Sequence, residues 1–317
     1  MVSNLEKHLW NGQRYHSLNY HLQQIYGEKV YKLAIDGGFT CPNRDGTLGE
    51  RGCIFCSAGG SGDFAASRSL SITEQIAAGK ELLKNKNTGH KYIAYFQAFT
   101  NTYAPVERLR TLYLEAMAHP DIAGIAIGTR PDCIGDDVLD LLNELNQIKP
   151  MMVELGLQTI HEKTAEFIRR GYPLSTFETA VGNLRDMGIE IVVHTILGLP
   201  GESEAAMLET ADYLASLKID GIKPQLLHVL QYTDLADYYK KTHFHILTEE
   251  EYIDILIKTI EVSHPDTVIH RLTGDGPKNI LIAPLWSGNK KKVLNDIHHE
   301  FKIRDTWQGR LCKEAYL

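Results

Sequence analysis

The stretch VYKLAIDGGFTCPNRDGTLGERGCIFCSAGG, residues 30–60, joins an apolar segment to a glycine-rich loop that holds three of the five cysteines in the chain. Residues 30–36 are mostly apolar, with β-branched members, and predict a strand. The glycines that follow let the backbone approach a bulky group closely. Cys53 and Cys56 form a C-x-x-C pair, and Cys41 stands twelve positions before it. The stretch therefore predicts a strand whose carboxyl end carries a loop built for metal or redox chemistry.

Three thiols in one loop fit more than one kind of centre. A structural zinc site takes four ligands, so a fourth would have to come from a distant part of the chain. A thioredoxin-like C-x-x-C pair needs neither Cys41 nor so much glycine. An iron–sulfur cluster held by three cysteines keeps one iron open for another ligand. The residues of the loop alone leave the choice between these centres open.

Apolar runs and helical patterns alternate after this stretch. Strands are predicted at 30–36, 92–99, 122–129, 151–158, 189–201 and 222–231, and helices at 71–85, 106–118, 136–147, 162–170, 176–188, 204–217 and 248–263. Ser71 and Glu74 predict a capping box at the start of the first of these helices. About six β/α units in a row favour a parallel sheet covered by helices. The predicted fold is α/β, a partial (β/α)6 TIM-type barrel, with a doubly wound sheet as the alternative.

The rest of the chain sets limits on the kind of protein. We expect an N-terminal segment at 1–29, the barrel at 30–235 and a C-terminal extension packed on it at 236–317. The start lacks the apolar core of a signal peptide, and no run reaches the length of a membrane span. A cytoplasmic protein with no membrane association is therefore predicted. The net charge of −7 indicates no polyanion partner for the surface as a whole, although 286–317 carries seven Lys or Arg against four Asp or Glu.

Five stretches of the chain together resemble one enzyme superfamily. A cysteine loop after the first strand of a β/α barrel is similar to that of the radical S-adenosylmethionine (radical SAM) proteins. The usual spacing there is C-x3-C-x2-C, whereas this chain has C-x11-C-x2-C, a feature of the Elongator-like branch and of the short YhcC-like bacterial proteins within it. The other stretches follow in the same order as in that branch: GTRPDCI (128–134), VELGLQTIHEKT (153–164), HTILGLPGES (194–203) and LLHVLQYTDLADYY (226–239).

The resemblance implies a cofactor and its ligands. Cys41, Cys53 and Cys56 would ligate a [4Fe–4S] cluster, and the open iron would bind S-adenosyl-L-methionine (SAM). Reductive cleavage of SAM would give methionine and a 5′-deoxyadenosyl radical that abstracts hydrogen from the substrate. A flavodoxin- or ferredoxin-type protein is the expected electron donor.

The resemblance also implies residues that contact SAM. Gln158 follows the fourth strand, and Arg170 matches a basic residue that reaches the SAM carboxylate, for which a bidentate pair is suited. Glu154 should point opposite to its strand neighbours, and a carboxylate inside a barrel needs a partner. Weaker correspondences place further contacts at Thr100, Asn101, Gly198, Gly201, His228 and Val229. For each of these the alternative is an ordinary structural role, such as a helix cap, a surface arginine or a packed strand end.

The substrate expected from the resemblance is tRNA. Elongator-like enzymes modify C5 of the wobble uridine, and the shorter proteins are linked to a carboxymethylaminomethyl-type side chain there. No acetyltransferase domain is expected after the barrel. The basic segment 286–317, with its interleaved aromatic residues, is a candidate tRNA contact. The alternatives are a radical SAM enzyme acting on a porphyrin or another small molecule, and a non-catalytic zinc-stabilised binding module.

Overall fold

The computed structural model describes residues 9–60, 62, 65–86, 89–274 and 276–316. The helices are α1 Leu18–Tyr26, α2 Ile72–Leu83, α3 Val106–Ala118, α4 Asp136–Asn146, α5 Glu162–Phe167, α6 Leu174–Asp186, α7 Glu204–Ser216, α8 Asp234–Thr242, α9 Glu249–Val262 and α10 Lys290–Ile303. The strands are β1 Tyr31–Ile35, β2 Tyr92–Phe96, β3 Ile122–Thr129, β4 Met151–Gln158, β5 Glu190–Leu197, β6 Gly221–Leu226, β7 Val229–Leu230, β8 Val268–Ile269 and β9 Leu281–Ala283.

These elements form two compact units. The first, here called the cysteine unit, comprises Leu22–Leu157 and Gly171–Val192. The second, here called the carboxy-terminal unit, comprises Gln158–Arg170, the described residues up to His21 and those from Val193 onward. Strand β5 begins in the cysteine unit and continues in the carboxy-terminal unit.

The cysteine unit is built on parallel strands. β1 pairs with β2, β2 with β3 and β3 with β4, all in parallel. Every residue of β2 is buried, which is the pattern of a strand covered on both faces. Helix α2 packs against β1, and α3 packs against β3. Because the strands are parallel, the loops that follow them leave from one edge of the sheet, the edge where the cysteine loop begins.

The carboxy-terminal unit also contains parallel strands. β6 follows β5 in the strand order, and β8 pairs with β6 in parallel. Helices α7 and α9 pack against each other, and α10 packs on α9. β7 and β9 form a separate antiparallel pair. This antiparallel pair is a small second sheet, which the alternation of apolar runs and helical patterns in the sequence did not predict.

The strand order confirms the predicted fold class. In the cysteine unit the order β1–β2–β3–β4 follows the chain, and so does β5–β6 in the carboxy-terminal unit. A doubly wound sheet reverses its strand order at a switch point, whereas a β/α barrel winds in one direction. The protein therefore has the α/β fold of a partial TIM-type barrel.

Individual elements confirm and correct the sequence predictions. The predicted helix 106–118 and strand 122–129 match α3 and β3 at both ends. The capping box is present, since the Glu74 amide donates to Ser71 Oγ at 3.2 Å and the Ser71 amide donates to Glu74 Oε2 at 2.8 Å. The predicted strand 222–231 is confirmed as β6 only in its first part, because β6 ends at Leu226 and the next strand belongs to the other sheet.

The division into an N-terminal segment, a barrel and a C-terminal extension stays a prediction. Two compact units distinguished by packing do not test it, and residues 1–8, 275 and 317 of the outer two segments lie outside the described residues. Within the described part of the chain, no helix combines the length and the apolar character needed to cross a membrane.

Candidate active site

Backbone hydrogen bonds fold the long spacer of the cysteine loop back on itself. The Arg44 amide donates to the carbonyl of Cys41 at 2.8 Å. The Gly52 amide donates to the carbonyl of Asn43 at 2.7 Å, which ties the residue before Cys53 to the residue two after Cys41. The Cys56 amide in turn donates to the carbonyl of Cys53 at 3.0 Å. The eleven-residue spacer therefore forms a closed loop that brings the C-x-x-C pair back toward Cys41.

Polar side chains within the loop brace the cysteines. Asn43 Nδ2 donates to the Sγ of Cys53 at 3.4 Å. The guanidinium of Arg44 donates to the carbonyls of Cys56 at 3.0 Å and Ser57 at 2.6 Å. Gly52 has φ +74°, and a Cβ there would lie 2.9 Å from Arg44 Nε, so glycine is required for Arg44 to cross the loop. The loop is therefore ordered by its own contacts.

The electrostatics of the loop suit a bound cation. Burial, together with the neighbouring thiols of Cys56 and Cys41, raises the pKa of Cys53 to about 12 against the opposing effect of Asn43 and Arg130. A lone thiolate is therefore disfavoured at Cys53. A coordinated metal reverses this preference, because a ligating thiol is deprotonated. The three thiols and the glycine-rich backbone accordingly fit the cluster that the resemblance implies.

As the described residues stand, the three thiols do not form a site for a single metal ion. Among the described residues, no three His, Cys, Asp or Glu side chains lie close enough together to hold a single metal ion. In an iron–sulfur cluster the thiolates bind different irons, so the cluster does not require such a gathering.

The segment after β2 closes over the cysteine loop. The amide of Phe99 donates to the carbonyl of Gly60 at 2.8 Å, and that of Thr100 to the carbonyl of Thr40 at 3.1 Å. Asn101 is fully buried, and its Nδ2 donates to the carbonyl of Gly128 at 2.7 Å. Its Oδ1 is buried and finds no hydrogen-bond donor among the described residues. An unsatisfied buried acceptor is costly unless a ligand supplies the donor, so Asn101 remains a candidate contact for a ligand.

Arg130, within the GTRPDCI stretch, lies beside the cysteine loop and was not among the residues predicted for the site. Its guanidinium donates to both carboxylate oxygens of Asp132, at 2.9 and 2.7 Å, and lies 5.1 Å from the ring centre of Tyr172. Burial works to lower the pKa of Arg130, but Asp132 and the thiols of Cys41 and Cys53 raise it above its ordinary value. Arg130 is therefore a permanent positive charge beside the cysteine loop.

Gly171 lies close to the side chains of both Arg130 and Asn43, and Asn43 belongs to the cysteine loop. Gly171 has φ +85°, and a Cβ there would lie 2.9 Å from Asn43 Oδ1 and 3.1 Å from Arg130 Nη2. Both side chains thus approach the same point, and Asn43 in turn bonds to Cys53. The motif G-T-R-P-D was the available signal, since an Arg and an Asp two residues apart at a strand end suggest a paired charge.

Glu154 has the partner that its burial requires. Its side chain is fully buried, and Lys32 Nζ on β1 lies 2.7 Å from its Oε1. Lys32 also lies 3.0 Å from the Sδ of Met152 and 5.3 Å from the ring centre of Tyr95. The expected need for a partner is confirmed, and a role of Glu154 toward SAM stays a prediction.

Gln158 and Arg170 belong to the carboxy-terminal unit. Gln158 has φ +69°, and its Oε1 is buried without a hydrogen-bond partner among the described residues. Arg170 is only 2% exposed and donates to the carbonyl of Thr159 at 2.7 Å and to Glu162 Oε2 at 3.1 Å. The alternative that Arg170 is a surface residue at a helix end is wrong. Helix α5 stops at Phe167, and Arg169 at φ +59° turns the chain.

The glycines of LGLPGE have backbone conformations that favour glycine. Gly198 and Gly201 have φ +89° and +87°. A Cβ on Gly198 would lie 3.1 Å from Leu247, whereas a Cβ on Gly201 would meet nothing within 4 Å. Gly198 is therefore needed for a tight turn, whereas the space that a side chain at Gly201 would fill is open.

His228 and Val229 are both engaged within the carboxy-terminal unit. His228 Nε2 lies 3.1 Å from Ser287 Oγ, and Gly274 packs so closely that a Cβ there would be 2.9 Å from the imidazole. Val229 is fully buried and pairs with Ala283 in the β7–β9 sheet. The packed strand end that the sequence left open is thus present, and the proposed contacts of both residues with SAM stay predictions.

Most basic side chains of segment 286–317 for which the structure gives contacts are paired with acids. Lys292 bridges Glu249 at 2.9 Å and Asp296 at 2.8 Å. Arg304 binds Asp254 at 2.7 Å and Glu300 at 2.8 Å, and Lys313 binds Asp212 at 2.5 Å. The indole of Trp286 donates to the carbonyl of Leu247 at 3.1 Å. The contacts therefore favour the solvated-face alternative over a phosphate-binding patch.

The chain is similar to known proteins along most of its length. Residues 45–214 match the radical SAM superfamily, and 219–302 match the Radical_SAM C-terminal domain. The protein YtqA of Bacillus subtilis is 47% identical over 308 residues, which is 97% of this chain and 94% of YtqA. The protein YhcC of Escherichia coli K12 is 38% identical over 85% of this chain and 86% of its own length.

More distant relatives belong to the Elongator type. The tRNA uridine(34) acetyltransferase of Methanocaldococcus jannaschii is 26% identical over 63% of this chain but only 35% of its own length. The solved structure of archaeal Elp3 from Methanocaldococcus infernus, with an N-terminal deletion, covers 88% of this chain and 64% of that one at a TM-score of 0.67 and 17% identity. The fold is therefore shared with an Elongator-type protein. The chain belongs to the radical SAM superfamily of enzymes, in the branch that contains the Elongator-like proteins.

Proposed function

We propose that this chain reductively cleaves SAM at a [4Fe–4S] cluster held by Cys41, Cys53 and Cys56. The resulting 5′-deoxyadenosyl radical would modify the C5 side chain of the wobble uridine in tRNA, of the carboxymethylaminomethyl type. The observation that carries the first half is the Asn43–Gly52 hydrogen bond, because it returns the C-x-x-C pair to Cys41 across an eleven-residue spacer.

The residues of the cysteine unit provide the environment for this chemistry. When bound, the cluster supplies the electron that splits the sulfonium of SAM. Arg130 places a fixed positive charge near Cys41 and Cys53, and this charge works to lower the pKa of the Cys53 thiol. Asn101 offers its buried Oδ1 to the SAM amino group, and Thr100 lies beside it against the cysteine loop.

Further SAM contacts are proposed for Arg170, Gln158 and Gly201. Arg170 is held by the Thr159 carbonyl and Glu162, so little orientational freedom is lost when it binds the SAM carboxylate. Gln158 carries a buried oxygen with no donor among the described residues, and Gly201 has open space for the close approach of a ligand. We retain the proposed contacts with SAM for four further residues: Glu154, Gly198, His228 and Val229.

The similarity to a tRNA uridine(34) acetyltransferase supports tRNA as the substrate. The alignment covers 63% of this chain but only 35% of the acetyltransferase, so we propose that the shared part carries the radical chemistry rather than the transfer of an acetyl group. A cytoplasmic location and a flavodoxin- or ferredoxin-type electron donor follow from this proposal, since tRNA and such donors are found there.

The substrate is tested by comparing modified nucleosides in tRNA from a strain lacking this chain, its parent and a strain complemented with the Cys56→Ala variant. Mass spectrometry should show one wobble-uridine derivative lost from the deletion strain and still missing from the Cys56→Ala strain. Wobble uridines identical in all three strains would rule out tRNA wobble modification. A porphyrin or other small molecule would then be the substrate to pursue.

A further inference from the structure

Four aromatic rings lie together on the surface of the carboxy-terminal unit. Phe167 meets Tyr238 edge to face with ring centres 5.0 Å apart, and Phe244 lies 5.7 Å from Tyr238 and 5.3 Å from Tyr239. Phe167 and Tyr238 are each 36% exposed. We call these four residues the α8 aromatic surface, after the helix that carries the two tyrosines. Contiguous exposed apolar area of this kind is typical of interaction sites.

Positive charge lies beside these rings. The run YYKKTHFHILT, residues 238–248, contains no acidic residue in a chain whose net charge is −7. Lys240 pairs with Asp237 at 3.4 Å, and His245 pairs with Glu251 at 2.9 Å. Lys241 is exposed, and no ion pair involves it among the residues that the structure describes. One lysine therefore remains available to an anion next to the rings.

A fifth ring is presented at the other end of the same helix. Tyr232 is 92% exposed and has φ +66°, a conformation that is rare for a bulky residue. It precedes Thr233, the N-cap of α8, and the nine residues of α8 span about 13 Å. Unusual backbone at an exposed aromatic residue is more common at functional sites than elsewhere.

We propose that the α8 aromatic surface, with Tyr232 and Lys241, binds an unpaired stretch of the tRNA substrate. Every base has a π face that stacks on an aromatic ring, and a nearby cation contacts the backbone phosphate. A duplex offers no free base faces, so the expected segment is a single-stranded loop. The inference rests on the proposed function and replaces segment 286–317, whose contacting basic residues are mostly paired with acids.

The test is fluorescence anisotropy of the full chain with an unmodified tRNA and with its isolated anticodon stem-loop. Tyr238→Leu keeps an apolar side chain but removes the ring, and Lys241→Glu reverses the charge without breaking an ion pair. Lys291→Glu, in segment 286–317, is the matched control for charge. Tyr238→Leu should weaken binding about 5- to 150-fold, the effect of losing one stacked base. Lys241→Glu should also lower the slope of log affinity against log salt by about 0.7, and the control should bind like the wild type.

The possible outcomes distinguish a failure of the inference from a failure of the proposed function. If the wild type binds neither RNA but cleaves SAM, tRNA is not the substrate and the proposed function fails with the inference. If the wild type binds and modifies tRNA while both surface variants bind equally well, the surface is wrong and the function stands. A change in sedimentation of Tyr238→Leu, with RNA affinity unchanged, would identify the surface as a contact between two copies of this chain and overturn the inference. Thermal unfolding of each variant separates loss of binding from loss of the fold.

Discussion

Replacing Arg130 by glutamine should loosen the part of the cysteine unit that supports the cysteine loop. The guanidinium makes two hydrogen bonds to Asp132, at 2.9 and 2.7 Å, and packs on the ring of Tyr172. Its side chain is only 10% exposed and that of Asp132 is 20% exposed. Glutamine has neither the positive charge nor the two parallel N–H donors of arginine. The mostly buried carboxylate of Asp132 would therefore lose its ion-pair partner.

The magnitude follows from these contacts. Breaking a buried ion pair by removing one partner costs about 3–5 kcal/mol. Loss of a cation–π contact adds about 0.5–2 kcal/mol. Because Asp132 retains some access to water, we expect the lower end, a loss of about 3 kcal/mol in the free energy of unfolding. That is a large share of the roughly 5–15 kcal/mol by which proteins are stable.

Urea unfolding followed by circular dichroism measures this loss, and Arg110→Gln is the control. Arg110 pairs with Glu144 at 2.5 Å, but the two side chains are 30% and 53% exposed. An exposed pair contributes about 0–1 kcal/mol, so the control should unfold nearly as the wild type does. Equal small losses for the two variants would refute the assignment of Arg130 as a structural cation of the site.

Three further replacements probe other parts of the account. Asn101→Ala removes the buried acceptor. Calorimetry should show that SAM binds the reconstituted variant about 10- to 150-fold more weakly, since a hydrogen bond to a charged group contributes about 1.5–3 kcal/mol. The control variant Asn146→Ala should bind SAM normally. Burial raises the pKa of Glu202 despite the bond from Thr159, so folding disfavours the ionised form of this carboxyl group. Glu202→Gln should therefore increase stability at pH 7, and this advantage should fade as the pH falls toward the ordinary value of 4.5. Ser71→Ala should cost about 1 kcal/mol of stability through the lost N-cap of α2, and Ser69→Ala should cost almost nothing; equal effects would contradict the capping role.

The regular part of the fold is predictable because its signals are local. The ends of α3 and β3 follow from runs of periodic apolar residues, and α2 begins where the capping box places it. Strand β6 was predicted five residues too long at its end, because Leu227–Gln231 continue the apolar run. What separates β7 from β6 is its pairing with β9, some 50 residues further along, which no local pattern reveals.

The candidate site is predictable in its residue types but less so in its contacts. The need of Glu154 for a partner follows from its place in a buried strand, whereas its partner Lys32 is 122 residues away in the sequence. Arg170 was expected at a helix end, but the helix stops earlier and the turn at Arg169 directs Arg170 inward. The unsatisfied oxygen of Asn101 depends on which donors surround it in three dimensions. Such contacts are set by tertiary packing, which a single sequence does not state.

The most direct test of the central claim is production of 5′-deoxyadenosine by protein purified and reconstituted without oxygen, supplied with SAM and dithionite. The wild type and Cys312→Ala should form 5′-deoxyadenosine and methionine, since Cys312 lies outside the cysteine loop. Cys56→Ala should fold but form neither product. Undiminished cleavage by Cys56→Ala, or no cleavage by a wild type that carries iron and sulfide, would contradict the assignment of this loop as the site of SAM cleavage.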